Sequence, residues 1–168
     1  MIPTGDNSHR PLRPSNLAGY LEALSRSVFR AGISWRVIDS KWETIRAAFA
    51  GFEPEVVAEY DEKDVERLLA DPGVIRSRAK IEATVDNAQA LLELDAEHRG
   101  FRTYLRSHAT FEDTVADLKR QFRFIGDSGA YHFLWSVDEP TPPRDEWVAR
   151  TQPNSAGRRR AATATREA

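Results

Sequence analysis

Residues 68–88 read LLADPGVIRSRAKIEATVDNA and set a helix breaker between two apolar stripes of helical spacing. Proline biases the residue before it away from helical geometry, so Asp71-Pro72 ends the first stripe. Gly73 admits the positive φ of a sharp reversal. The pattern predicts two helices meeting through a very tight turn, the second beginning at Val74-Ile75. Arg76, Ser77, Arg78 and Lys80 follow at once, beside the unsatisfied N–H groups that open any helix. A helix N-terminus ringed by basic side chains suits an anion, with a nucleic-acid phosphate among the candidates. A structural corner with solvated charges reads equally well from these residues alone.

The helical spacing recurs on both sides of this hairpin. Ser15 or Asn16 is placed to cap a first helix carrying Leu17, Tyr20, Leu21, Leu24 and Val28, which Gly32 ends. Ser34 then stands as the N-cap of a second helix, with Ile33 and Ile38 as a hydrophobic staple. Its stripe runs through Trp35, Ile38, Trp42, Ile45 and Phe49. Asp61 caps a helix over 62–70, and Ile81, Val85, Ala88, Leu91 and Leu92 mark the helix after the hairpin. A shorter helix is expected over 101–107. Thr110 with Asp113 resembles a capping box for 111–122, and Gly126-Asp127-Ser128-Gly129 turns into a last helix over 130–136.

No strand alternation and no internal repeat interrupts this series, so the expected fold is all-α. A chain of 168 residues supports one real core and not two comfortable ones. The expectation is a single compact domain over 15–137 with a helix-hairpin-helix motif. Residues 1–14 are polar and read as poorly ordered. Residues 138–168 hold four prolines and Arg158-Arg159-Arg160 without periodicity, and read as a disordered tail.

The remaining composition excludes several functions. No cysteine is present, which rules out disulfides and thiolate zinc sites. His9, His98 and His108 have no partner at metal-ligand spacing. No apolar run approaches the roughly 20 residues needed to span a bilayer. The N-terminus has no signal-peptide core, so a cytoplasmic protein is expected. The formal net charge of −2 does not argue against nucleic acid, because a local basic patch suffices.

Three segments together carry a resemblance: LEALSRSVFRAGISWRVIDSKWETIRAAFAGFEP, DPGVIRSRAKIEATVDNA and KRQFRFIGDSGAYHF. In this order, over roughly residues 16–133, they resemble the DNA-3-methyladenine glycosylase I family of the helix-hairpin-helix glycosylase superfamily. The A-G-I-S-W junction is the most specific piece. The resemblance implies a helical base-excision enzyme whose partner is duplex DNA containing alkylated bases. The hairpin, with Gly73, Arg76, Ser77, Arg78 and Lys80, would hold backbone phosphates while the damaged nucleotide is flipped into a pocket. A base methylated at N3 is cationic and a good leaving group, so an aromatic face can select it.

Trp35 matches the family's pocket tryptophan and is the expected stacking surface; as a helix-opening aromatic it also reads as core. Gly32 and Ser34 match the family's turn. Where the family carries a base-binding glutamate, this chain has Ser27, with Arg30 nearby. A hydroxyl donates or accepts a hydrogen bond but cannot stabilise a cation by charge. His132 stands where the family has a small polar residue, placed to bond a base edge or position water. The alternative for His132 is a helix-face histidine bonded to a neighbouring carbonyl. The candidate catalytic residues are therefore Ser27, Trp35 and His132.

The family's terminal zinc ligands and its aromatic N-terminal segment have no counterpart here, so neither metal nor cofactor is expected. Glu93, Asp95 and Asp127 read as solvated or capping carboxylates. The expected chemistry is direct attack by water on the sugar carbon, in a monomeric protein. The alternative function is a non-catalytic DNA-binding module that kept the hairpin.

Overall fold

A helix with apolar residues around most of its circumference belongs in the middle of a fold. Helix α5, Arg78–His98, is of this kind, burying Ile81, Ala83, Thr84, Ala88 and Leu91 among others. In this computed structural model, which describes residues 13–152, four other helices pack on it. They are α1 (Leu17–Arg30), α3 (Pro54–Val57), α4 (Glu62–Ala70) and α6 (Phe101–Leu105). The others are α2 (Trp35–Ala48), α7 (Phe111–Gln121), α8 (Asp127–Ser136) and α9 (Arg144–Thr151), with a 3-10 turn at Ala50–Phe52. Among the described residues there is no strand. The all-α expectation is met.

The core follows the stripes. Leu21, Leu24 and Val28 of α1 are fully buried, as are Ile38 and Ile45 of α2. The rings of Trp42, Phe52 and Phe49 stack in series, each 5.4 Å from the next. Each such side chain contributes about 1.5–3 kcal/mol on leaving water. Asn16 is the cap of α1, its side chain accepting from the Gly19 N–H at 3.0 Å. Asp61 and Asp64 form a reciprocal capping box on α4. Ser34 occupies the N-cap position of α2, although its side chain makes no capping hydrogen bond.

The hairpin between α4 and α5 differs from the tight turn expected. Helix α5 begins at Arg78 rather than at Val74-Ile75, because Ser77 caps it by accepting from the Lys80 N–H. Val74 is instead buried in the loop. Gly73 lies outside the positive-φ glycines, and space is what requires it. An added Cβ there would come within 2.9 Å of Thr44 Cβ. The loop is pinned to α2 by Thr44, whose hydroxyl donates to the Gly73 carbonyl at 2.7 Å.

The tail is a second difference. Residues 138–152 do not continue as an unstructured segment, because they carry α9. Its Trp147 is buried edge-on to Phe111 at 5.0 Å and stacked on Tyr131 at 6.2 Å. The Tyr131 hydroxyl donates to the Pro142 carbonyl, securing the connection. The order comes from long-range aromatic contacts that leave no periodic trace in the local sequence. Helix α8 also starts three residues before the expected position, with Asp127 in its first turn. The expectations for residues 1–12 and for the basic run at 158–160 lie outside the described residues.

Candidate active site

The α1–α2 junction builds one wall of a cleft. Gly32, at φ +76°, ends α1 and turns the chain so that Trp35 opens α2. Trp35 stays 45% exposed, so the aromatic is presented at the surface and not packed as core. Helix α8 and the loop before it close the other side, giving a cleft of about 1160 Å³. Ser27, Trp35 and His132 all line it. The three residues singled out from sequence therefore converge, although α1 and α8 lie 102 residues apart at their Arg30–His132 contact.

Their hydrogen bonds restrict what each can do. Ser27 is buried and its hydroxyl donates to the Gly129 carbonyl at 3.3 Å, tying α1 to α8. His132 Nε2 faces the Arg30 guanidinium, which has only hydrogens to offer, so that nitrogen is the acceptor. The His132 ring also stacks on Trp135 with centroids 6.0 Å apart. Neither of the expected alternatives for His132, a base edge or a neighbouring carbonyl, describes its bond to Arg30.

Arg30 is held in turn. Its second amino group donates to Asp39 at 3.0 Å, and Arg26 reaches the same oxygen at 3.2 Å. Arg26 also lies over the Trp42 ring at 4.5 Å. Two guanidiniums share the Asp39 carboxylate, and of these three side chains only that of Arg30 lines the cleft. The carboxylate that lines the cleft, Asp127, is paired with Lys119 at 3.0 Å. The arrangement can stack a flat ring and donate to its edge, but it offers no unpaired carboxylate as general base.

The hairpin residues divide sharply. Arg76 is exposed and, among the described residues, has no hydrogen-bond or ion-pair partner. Ser77 is taken up as the cap of α5. Arg78 is bound by Glu62, Glu66 and Glu82 at 2.8, 2.6 and 3.4 Å. These carboxylates raise its pKa further and leave little of it to offer a phosphate. Lys80 points inward. Its ammonium donates to the Phe29 carbonyl at 3.2 Å and the Ala31 carbonyl at 2.5 Å. Burial pushes it below the ordinary lysine range. It caps the end of α1, which leaves Arg76 as the hairpin's exposed cation beside the first-turn N–H groups of α5.

Sequence reasoning missed other residues of the cleft. Phe124, Tyr131, Trp135, Arg144 and Gln152 also line it. Arg144 begins α9 and Gln152 follows its end, so the overlooked helix forms part of the wall. The only advance signal was the aromatic density of 131–135, and it pointed equally to core.

Comparison with known proteins gives a consistent result. A family model described as methyladenine glycosylase matches residues 14–128. DNA-3-methyladenine glycosylase 1 of Escherichia coli (strain K12) is 32% identical over 126 residues, covering 62% of this chain and 67% of that protein. DNA-3-methyladenine glycosylase of Haemophilus influenzae is also 32% identical, over 129 residues, covering 64% and 70%. A solved structure of 3-methyladenine DNA glycosylase I from Staphylococcus aureus superposes with a TM-score of 0.63. It is 30% identical, and the match covers 81% of this chain and 87% of that one.

Proposed function

Because this chain belongs to the methyladenine glycosylase family, we propose that it hydrolyses the N-glycosidic bond of alkylated bases, of the 3-methyladenine type, flipped from duplex DNA. The glycosidic carbon is unreachable inside the base stack, so the nucleotide must leave the helix and enter the cleft. The half-exposed indole of Trp35, presented at the mouth of that cleft, is the observation that carries this reading.

In this reading Trp35 stacks on the flipped base. A base alkylated on a ring nitrogen is positively charged in DNA and is attracted to the indole face. It departs as a neutral molecule once the bond to the sugar breaks, so strong acid catalysis is unnecessary. That suits a cleft without an unpaired carboxylate. Water attacks the sugar carbon directly, since Lys80 is committed to two backbone carbonyls and is not placed as a nucleophile. Arg30, its charge offset by the ion pair with Asp39, and His132 line the cleft beside the base edge. Arg76 and the N–H groups opening α5 hold a phosphate. The protein is read as a cytoplasmic monomer that needs no metal.

Release of free base from methylated duplex DNA, followed by chromatography, tests the reading and identifies the lesion. Trp35→Ala is expected to reduce release by roughly 10- to 100-fold, the equivalent of a lost stacking contact of about 1–3 kcal/mol. A second reading, a DNA-binding module without catalysis, is favoured by the engagement of the Ser27 hydroxyl with Gly129. It predicts salt-sensitive duplex binding with no base released.

A further inference from the structure

Phe124 lies in the loop between α7 and α8, on the rim of the cleft, and two things about it are costly. Its φ is +60°, a region that crowds the Cβ of any bulky residue. Its ring is 45% exposed, while its neighbours Phe122 and Ile125 are buried. A core residue with these neighbours would turn inward and relax.

The loop is prevented from relaxing. Asn87, on α5 and 2% exposed, accepts from the Arg123 N–H at 2.8 Å and donates to the Arg123 carbonyl at 3.1 Å. One buried amide thus satisfies both backbone groups of the residue before Phe124. The Arg123 guanidinium is held by Asp86 as well. Moving either peptide plane of Arg123 to re-aim the loop would leave the Asn87 amide buried and unpaired. A strained backbone maintained by a buried anchor, with an aromatic ring in water at its tip, is the pattern of a residue kept for contact with something else.

Trp35 reaches the same cleft from the α1–α2 junction, equally exposed. We propose that Phe124 is a second aromatic contact for the flipped nucleotide, so that the nucleotide is held by Phe124 as well as by Trp35. This rests on the glycosylase reading and extends it to a residue on a separate element. Stacking on a second ring works for any base, so Phe124 adds hold without choosing the lesion.

Glycine adopts the φ of Phe124 without strain, so Phe124→Gly separates contact from structure. Base release under single-turnover conditions and the thermal midpoint are measured for the wild type, F124G and F124Y. The expected result is a midpoint in F124G that is unchanged or raised, together with a roughly tenfold or greater loss of release rate. F124Y should stay within about threefold of wild type, because its ring still stacks. Equal release by wild type and F124G overturns the assignment and leaves the glycosylase reading intact. No release by the wild type overturns the glycosylase reading, and the role of Phe124 with it.

Discussion

Asp117 accepts hydrogen bonds from Tyr104 at 2.7 Å, His108 at 3.1 Å and Arg120 at 2.8 Å. Burial alone would raise its carboxyl, but these donors outweigh it and hold the group down at about 2. Burial, and then the bond to Asp117, push the Tyr104 hydroxyl far up in turn. The sign follows from proton counting. The unfolded carboxyl, at the ordinary value of 3.8, binds a proton before the folded one does. The cluster's contribution is therefore complete above pH 4 and is lost as pH falls from about 4 to about 2. A shift of this size corresponds to about 2 kcal/mol. Asp117→Asn should lose about that much stability in urea unfolding at pH 7. Its deficit relative to wild type should shrink steadily as the titration approaches pH 2.

Among the elements, α9 has the most to reveal by removal. Trp147 is its only buried residue, so the helix is held chiefly by that side chain against Phe111 and Tyr131. Trp147→Ala should cost about 3 kcal/mol in chemical denaturation. It should also slow base release, because Arg144 and Gln152 at the ends of α9 form part of the cleft wall. The element also marks a limit of sequence reading. Helices α1, α2, α4 and α7 each carry an apolar stripe and a capping residue, and those were legible. RDEWVART has one large apolar residue among charges, and its partners lie 16 and 36 positions earlier in the chain. The hairpin was legible as a hairpin, but its start was misplaced, since a buried Val74 in a loop looks like the first turn of a helix. Ser27, Trp35 and His132 were readable because their segments resemble a known family. The exposed conformation of Phe124 was not, although its segment carries the same resemblance, because an amide reaching from Asn87 to a backbone 36 residues away has no local signature.

At the scale of the whole molecule, a chain of net charge −2 must bring its positive charge to DNA at few points. On the hairpin, Arg78 is already neutralised by three glutamates. Arg76, on the same hairpin, has no ion-pair partner among the described residues. Arg76→Gln should weaken duplex binding for every sequence alike and reduce the salt slope by about 1 when affinity is titrated against salt. Arg78→Gln should leave that slope unchanged and lower the melting temperature.

The ammonium of Lys80 spans from the first turn of α5 to the carbonyls of Phe29 and Ala31, one residue short of Gly32 on the cleft wall. It therefore sets a spacing. In a duplex, the reach from a gripped phosphate to an everted base is a property of the nucleotide, and the receptor must match it. Here four methylenes and a charge fix the distance from the first turn of α5 to the end of α1, which makes Lys80 a ruler between the two places that the proposed reading gives to the phosphate and to the base.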